Sequence, residues 1–398
     1  METVQAQHII EALRMGIPPE NHIHYFTVGR DSEIDQLKLR LVGGNCGALL
    51  LQANYGSGKT HLLRLIREIA LERGFAVSCV TLDARSSVRF NRMDQVVGAI
   101  CRNIELAGDR ECKGVRPLFD LVCQCIEREK GSGSDGAFWS RLTNHWRWDY
   151  SDELDAPAVF VALRAWATGR PEVQNEVEGW LFHPWDYYAQ RKLIYQRLVG
   201  NLRSHFLDPR NEWQFYADDV FRFDKQGHAQ SWATLRDLHT LSCAAGLQGL
   251  VILFDEFEDV ITNLNRIDFE EAAFWNLFQF YSGKQFPGMT FFAVTPEFVN
   301  KCKTRLITKG RWDYDYSRFE AIPTFRMSAL DYADLTLLAD RIVGAHGRAY
   351  EWEPKRAISS AKLKTLVREA ASVPVEDRAR HTIKAVVKYL DKALDESE

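Results

Sequence analysis

Apolar residues recur along this chain with two spacings, one typical of buried strands and one typical of helices. Short, mainly apolar stretches with the length of buried strands occupy 48–52, 76–82, 250–254 and 289–294. Between the first two, leucine and isoleucine recur every three or four residues from 61 to 73, which predicts a helix that ends at Gly74. Strand, loop, helix and strand in this order predict a βαβ unit of a parallel sheet, and therefore an α/β fold.

Helical spacing dominates most of the remaining chain. The pattern predicts a short amphipathic helix over 1–14 and further helices over 33–41, 93–106, 117–130, 329–346, 359–371 and 378–394. We divide the chain accordingly into an N-terminal helical segment (1–27), a core (28–325) and a C-terminal helical lid domain (326–398).

A glycine- and serine-rich loop at 131–136 opens a segment of unusual composition. Eight of the eleven tryptophans lie between Phe138 and Trp232. We interpret the region from about 131 to 240 as an aromatic-rich helical insertion with a small core of its own. The alternative is a surface that docks a partner, because tryptophan and tyrosine anchor protein interfaces.

Composition narrows the class of protein. The 398 residues, 46% of them hydrophobic, can bury a large core, and the formal net charge of −4 excludes a generally basic binder of nucleic acid. No apolar run reaches the roughly 18 residues that span a bilayer, so we expect a cytoplasmic protein without membrane contact. The eight cysteines form no CxxC pair, which favours reduced cysteines in the protein core over a zinc site.

The loop at 53–60 (ANYGSGKT) matches the phosphate-binding P-loop pattern, with Ala53 where the first glycine is usual. It lies between an apolar strand and an amphipathic helix, as phosphate binding at a helix N-terminus requires. Lys59 is expected to contact the β- and γ-phosphates of ATP and assist catalysis, and the Thr60 hydroxyl to bind Mg²⁺. The predicted binding residues are Asn54, Tyr55, Gly56, Ser57, Gly58, Lys59, Thr60 and His61.

A second apolar strand, 250–254, delivers Asp255 and Glu256 at its C-terminal end, where open α/β sheets place their chemistry. Beside a P-loop, Asp255 is expected to hold Mg²⁺ through water, and Glu256 to polarise the attacking water as the catalytic base. The alternative is a buried strand that ends in a solvated acidic turn. Glu258 and Asp259 follow closely, and we expect them to be solvated acids without a catalytic role.

The strand 289–294 also ends in a polar residue, Thr295. Its hydroxyl is a candidate catalytic group that senses the γ-phosphate or holds the attacking water. The alternative is a strand-end hydroxyl that caps the turn before Pro296.

This arrangement resembles the AAA+ ATPases, in particular their initiator-like and STAND-like branch. The segment 28–34 (VGRDSEI) looks like the GRxxE box of that branch, which implies that Gly29 and Arg30 lie near the adenine. More narrowly, the chain resembles the P-loop ATP-binding proteins of the BREX phage-defence systems. This similarity is carried by 9–19 (IIEALRMGIPP), 325–328 (FRMS), Arg341, His346, Ala349, Tyr350, Trp352, Arg380, Val386 and Val387.

The resemblance implies a P-loop NTPase fold of the AAA+ or initiator-like type, with a parallel sheet and ATP and Mg²⁺ as ligands. It also implies an ATPase that works with other defence-system proteins, with DNA as a further partner. In AAA+ proteins an arginine after the Thr295-type strand reaches the γ-phosphate of a neighbouring subunit, which implies a homo-oligomer. We favour Arg318 over Arg311 for this catalytic role, the alternative being ordinary surface arginines. Arg380 is the candidate lid arginine that touches nucleotide in its own chain.

Three functions remain compatible with the sequence. They are an ATP-hydrolysing motor or switch in phage defence, an ATP-loaded STAND-like scaffold that hydrolyses little, and an initiator-like DNA-loading ATPase. For DNA contact, Arg380, Lys384, Lys388 and Lys392 share one helix face, and a second basic cluster occupies 301–311. The alternative is that the helix face is simply solvated.

Overall fold

The described residues fold around a six-stranded sheet with helices on both faces. The computed structural model describes residues 2–54, 56–82, 88–108, 112–130, 137–144, 151–183, 223, 229–258 and 264–396. The strands are β1 (Gly47–Gln52), β2 (Ala76–Thr81), β3 (Ile104–Glu105), β4 (Leu250–Asp255), β5 (Met289–Val294) and β6 (Thr324–Arg326). Their order is β3-β2-β4-β5-β1-β6, and every neighbouring pair is parallel except β2 and β3.

The helices follow the order of the chain. They are α1 (Thr3–Met15), α2 (Asp31–Arg40), α3 (Lys59–Glu72), α4 (Met93–Arg102), α5 (Arg116–Lys130), α6 (Phe138–Asn144), α7 (Pro157–Trp166), α8 (Pro171–Phe182), α9 (Ala229–Ala244), α10 (Ile267–Ser282), α11 (Phe298–Thr308), α12 (Ser317–Glu320), α13 (Tyr332–Ala349), α14 (Pro354–Ala357), α15 (Ser360–Ala370) and α16 (Arg378–Asp395). Short 3-10 helices occupy Ile23–Phe26 and Val375–Asp377. Of the helices in the described ranges, none combines the length and the apolar character that crossing a bilayer requires.

The predicted α/β class is confirmed, but the sheet is mixed rather than fully parallel because of β3. We expected one helix over 93–106, whereas α4 ends at Arg102 and the Asn103 side chain donates to the Ala99 carbonyl 2.8 Å away. Beyond it the chain turns extended, and Ile104 and Glu105 pair antiparallel with β2. Glu105 is buried there and forms an ion pair with Arg67.

The region after 325 is not wholly helical either. Phe325 and Arg326 belong to β6, which pairs with β1 at the edge of the sheet. The predicted boundary at 325/326 therefore falls inside a strand, and the first lid helix, α13, begins at Tyr332.

The central strands β4, β5 and β1 are buried on both faces, which explains why they are continuous apolar runs rather than alternating ones. Along β1, Leu50 contributes to one apolar cluster, and Leu49 and Leu51 contribute to the cluster on the opposite face. Helix α3 packs on the second face through Leu62, Leu65, Ile66 and Ile69. The P-loop helix is thereby fixed against the strands whose ends form the site.

The described part of the insertion joins the apolar core on the first face of the sheet. Trp166, Trp180 and Trp232 are almost fully buried, and they share one cluster with Phe254 of β4 and Phe292 of β5. This differs from our expectation of a separate insertion core. The reason is that α8 packs on α4 and α7 packs on α9, so Trp180 and Trp166 extend the core of this face.

The N-terminal helix α1 and the lid helices together form a third apolar cluster. Ile9, Ile10 and Leu13 of α1 pack against α13 and α16, with Leu338 and Val387 among their neighbours. Arg341 of α13 donates to the backbone carbonyls of Tyr25 and Thr27, each 2.7 Å away. In contacts, α1 therefore belongs with the lid, whereas Ile23 packs in the cluster that contains α3.

All eight cysteines are free thiols. Cys101 and Cys302 are buried, as we expected for core cysteines, and burial raises the pKa of the Cys101 thiol to about 12. Cys46 and Cys243 are exposed, so the expectation of core cysteines was wrong for these two.

Candidate nucleotide-binding site

The P-loop leaves the sheet at the end of β1 and turns into α3. Gly56 (φ 80°) and Gly58 (φ 97°) occupy the left-handed region that other residues rarely adopt, so the loop can curl against the start of the helix. Lys59 is the first residue of α3, and its ammonium donates to the carbonyl of Ala53 at 3.2 Å. Asn54 and Ser57 belong to the same turn. Tyr55 lies outside the described residues.

The end of β4 brings Asp255 to this loop. The Thr60 hydroxyl donates to Asp255 Oδ2 at 2.9 Å, and the backbone N–H of Glu256 donates to Asp255 Oδ1 at 2.9 Å. Glu256 has a φ of 54°, which is rare for a residue with a Cβ. The P-loop and the acidic end of β4, which the sequence predicted to form one site, therefore meet at Thr60 and Asp255.

The paired Thr60 and Asp255 oxygens fit a magnesium ion that is completed by phosphate and water. Within the described ranges no three His, Cys, Asp or Glu side chains converge as an all-protein metal site. Mg²⁺ in nucleotide sites commonly takes only one or two protein ligands and fills its remaining positions with phosphate oxygens and water. A hydroxyl and a carboxylate 2.9 Å apart match that donor set.

Glu258 also lies in this site, although we gave it no role from the sequence. Its Oε1 is 3.8 Å from Lys59 Nζ, and its Oε2 accepts the backbone N–H of Thr295 at 3.0 Å. Burial lowers the pKa of Lys59, and the carboxylates of Glu258, Asp255 and Glu256 oppose that change. The only sequence signal was the density of acidic residues after β4, which a solvated turn would explain equally well.

Thr295 lies at the end of β5, beside Glu258, and is buried. Its backbone N–H makes the contact with Glu258, while its hydroxyl has no hydrogen-bond partner among the described residues. A buried hydroxyl without a partner loses the hydrogen bonds it would make in water, so an additional group at this position is favoured.

A cleft of about 230 Å³ runs from the P-loop to the lid. One end is polar and contains the P-loop from Gly56 to His61 together with Asp255, Glu256 and Glu258. The other end is apolar and is lined by Leu13, Phe26, Val28, Leu330, Leu338 and Ile383. A polar end at a helix N-terminus and an apolar end suit a ligand with phosphates and a flat base.

Sequence similarity to a known protein family covers the residues of this site. Residues 1–137 and 225–398 match the family model described as BREX system ATP-binding protein BrxC/D. The chain belongs to this family. No curated protein and no solved structure matches it. The matched ranges include the P-loop, Asp255, Glu256 and the lid, whereas the unmatched stretch falls inside the aromatic insertion.

In this BREX ATP-binding protein, two segments that carry the family resemblance meet beside the cleft. Arg30 donates to Glu33 Oε1 at 3.0 Å and to the Ser328 hydroxyl at 2.9 Å. The GRxxE-like box is thereby joined to the linker between β6 and the lid. Arg30 lines the cleft, but these partners occupy its guanidinium.

Gly29 and His61 were both predicted to bind the nucleotide. In the structure, the space beside the Gly29 Cα and the His61 imidazole each face another group of the protein. A Cβ at Gly29 would lie about 2.3 Å from the Asp334 carboxylate, so glycine allows the lid helix to approach. His61 lines the cleft, and its Nε2 lies 2.9 Å from the Thr27 hydroxyl. Burial lowers the pKa of His61 to about 4, so the imidazole is neutral at pH 7 and supplies no positive charge for phosphate.

The three candidate arginines lie in different places. Arg380, near the start of α16, lines the cleft from the lid side. Arg318 is exposed, stacks 4.6 Å from the ring of Phe278, and does not line the cleft. Arg311 forms an ion pair with Glu271 at 2.6 Å. Arg318 is therefore not among the described residues that line the cleft, and a contact with another subunit's cleft stays a prediction.

Of the two basic clusters, the one at 301–311 is largely neutralised. Lys303 pairs with Glu320, Arg305 and Lys309 share the buried Glu270, and Arg311 pairs with Glu271. Arg380, Lys384, Lys388 and Lys392 are exposed along α16, and Lys392 pairs with Glu396 at 3.5 Å.

Proposed function

We propose that this BREX ATP-binding protein hydrolyses ATP with Mg²⁺, as an AAA+ motor or switch in a multi-protein phage-defence system. The observation that carries the proposal is the meeting of Lys59, Thr60 and Asp255 at the polar end of the cleft. Family membership supports ATP binding and the defence role. The proposal also includes ATP hydrolysis, membership of the AAA+ type, assembly into a homo-oligomer and contact with DNA.

The roles of the residues follow from their positions. Lys59 and the N–H groups at the start of α3 would bind the β- and γ-phosphates, and Thr60 with Asp255 would hold Mg²⁺, which neutralises phosphate charge. Glu256 lines the same end of the cleft and would accept a proton from the attacking water. The strained backbone of Glu256 is consistent with a constrained catalytic position.

The test is the substitution Lys59→Ala, because it removes the P-loop cation that we expect to bind the phosphates. We expect ATP affinity to fall by about 100-fold or more, measured by titration with a fluorescent ATP analogue. Arg64→Ala is a matched control, since Arg64 is on the same helix and donates to the Pro18 carbonyl. Unchanged ATP affinity in a folded Lys59→Ala protein would contradict the site assignment.

The same variant tests the defence role in cells. Phage plating on cells that carry the complete operon should show protection with the wild-type gene and its loss with Lys59→Ala. A pull-down of operon partners should recover other defence proteins. Equal protection by both versions, with no partner recovered, would leave the defence role without support. A steady-state ATPase assay with and without DNA separates a motor from an ATP-loaded scaffold, which would turn over little ATP.

A further inference from the structure

Glu258 joins two elements of the site that come from distant parts of the chain. One carboxylate oxygen faces the ammonium of Lys59 at the start of α3, and the other accepts the N–H of Thr295 at the end of β5. The side chains of Glu258 and Lys59 are each only 10% exposed. This pair is therefore poorly screened by water, and its charge matters more than that of a surface ion pair.

The position of this carboxylate conflicts with the expected role of Lys59. A lysine that binds the γ-phosphate must turn its ammonium toward an anion, and Glu258 already supplies one. A triphosphate that enters the same cleft would place more negative charge beside the Glu258 carboxylate, and like charges at short range in a partly buried site repel strongly. Glu258 and the terminal phosphate are thus competing partners of one cation.

We propose that Glu258 is a positioning residue that responds to the γ-phosphate by exchanging its contact with Lys59 while keeping its contact with Thr295. In the nucleotide-free protein, Glu258 holds Lys59. When ATP binds, Lys59 turns to the phosphates, and Glu258 remains attached to the end of β5 through the Thr295 N–H. The proposal rests on ATP binding at the P-loop, as set out under the proposed function.

This exchange has a consequence for nucleotide selectivity. ADP lacks the γ-phosphate, so Lys59 can contact the β-phosphate and still remain near Glu258. ATP requires the Lys59–Glu258 contact to break. Glu258 therefore opposes ATP more than ADP, while its contact with the Thr295 N–H keeps the carboxylate at the end of β5.

The test is Glu258→Gln. Glutamine keeps a carbonyl oxygen that can accept the Thr295 N–H, but it has no charge to hold Lys59. We expect ATP affinity to rise by about tenfold and ADP affinity by less than about threefold, measured by isothermal titration calorimetry in the presence of Mg²⁺. The ratio of the two affinities is the informative quantity, because a general change in folding would alter both nucleotides alike.

Glu297→Gln is the matched control. It removes the same charge two residues after Thr295, from an exposed side chain, and should leave the affinity ratio unchanged. An unchanged ratio in a folded Glu258→Gln protein, or weaker ATP binding, would overturn the proposal. Loss of ATP binding in the Lys59→Ala protein would still support the proposed function in that case, so the two failures are distinguishable.

A second measurement addresses the contact with Thr295. Hydrogen exchange of a peptide that contains Thr295 should become faster in Glu258→Ala, which removes the acceptor, and should stay near the wild-type rate in Glu258→Gln. Equal exchange in the wild-type, Ala and Gln proteins would show that Glu258 does not hold the end of β5 in solution, and it would overturn the proposed attachment of Glu258 to Thr295.

Discussion

At the scale of single residues, the site depends on backbone shapes that place charged groups at short range. The glycines at 56 and 58 let the loop curl, and the N–H of Glu256 fixes one oxygen of Asp255 while Thr60 binds the other. Holding Glu256 at a φ of 54° costs on the order of 1–3 kcal/mol, which the surrounding contacts must offset. The Asp255 carboxylate is thus oriented before any ligand arrives.

The residue-scale prediction concerns Glu256→Gln. The amide keeps the shape of the side chain but cannot accept the proton of the attacking water, so hydrolysis should slow on the order of 10²-fold or more while ATP still binds. Single-turnover hydrolysis and equilibrium binding measure the two effects separately. If the variant turns over ATP at the wild-type rate, Glu256 is not the base, and Glu258 becomes the next candidate.

At the scale of elements, α1 packs against the lid helices. Its apolar face packs on α13 and α16, and its last turn is tied to α16 by Arg14, whose two bonds to Asp391 are 2.8 and 2.9 Å long. His346 of α13 joins the same carboxylate through Nε2 at 3.0 Å and accepts the Trp352 indole N–H at 2.9 Å. Several residues that carried the family resemblance therefore hold the N-terminal helix to the lid.

The element-scale prediction is that Ile10→Ala destabilises the protein by about 2–4 kcal/mol, because it leaves a cavity in a fully buried position between α1 and the lid. Val4→Ala on the same helix is the control, since Val4 is 60% exposed, and it should change stability by less than about 0.5 kcal/mol. Urea unfolding midpoints measure both. Equal midpoints for the two variants would show that α1 does not pack on the lid in solution.

At the scale of the whole molecule, two of the candidate arginines differ in their position relative to the cleft. Arg380 lines the cleft from within the chain, whereas Arg318 is exposed and stacks on Phe278 away from it. We propose that Arg318 meets the γ-phosphate in another subunit. The proposed ATP-dependent homo-oligomer supplies that subunit.

The whole-molecule prediction uses two inactive variants. Arg318→Ala keeps an intact cleft but lacks the arginine, and Glu256→Gln lacks the base but keeps the arginine. Mixed together, they should recover part of the ATPase activity, because an Arg318→Ala cleft can receive Arg318 from a Glu256→Gln neighbour. Light scattering with each nucleotide measures the assembly. A monomer under all nucleotide conditions and concentrations, or no recovery of activity, would contradict the oligomer.

The sequence by itself determined the local parts of this protein. The βαβ unit around the P-loop, the apolar strands and the helices of the lid followed from the spacing of apolar residues. Gly56, Gly58, Lys59 and Thr60 followed from the chemistry of a loop that leads into a helix. These features depend on neighbouring residues only, so they can be predicted without the fold.

The tertiary structure alone decided which distant residues meet. The order of the strands sets Glu258 of the β4 end between Lys59 and Thr295, and it turned an apparently solvated acid into a partner of the P-loop lysine. Long-range packing likewise placed α1 against the lid helices and the insertion tryptophans in the core on one face of the sheet. Apolar periodicity shows that a face is buried but not what buries it, because the partner is chosen by packing between elements far apart in the chain.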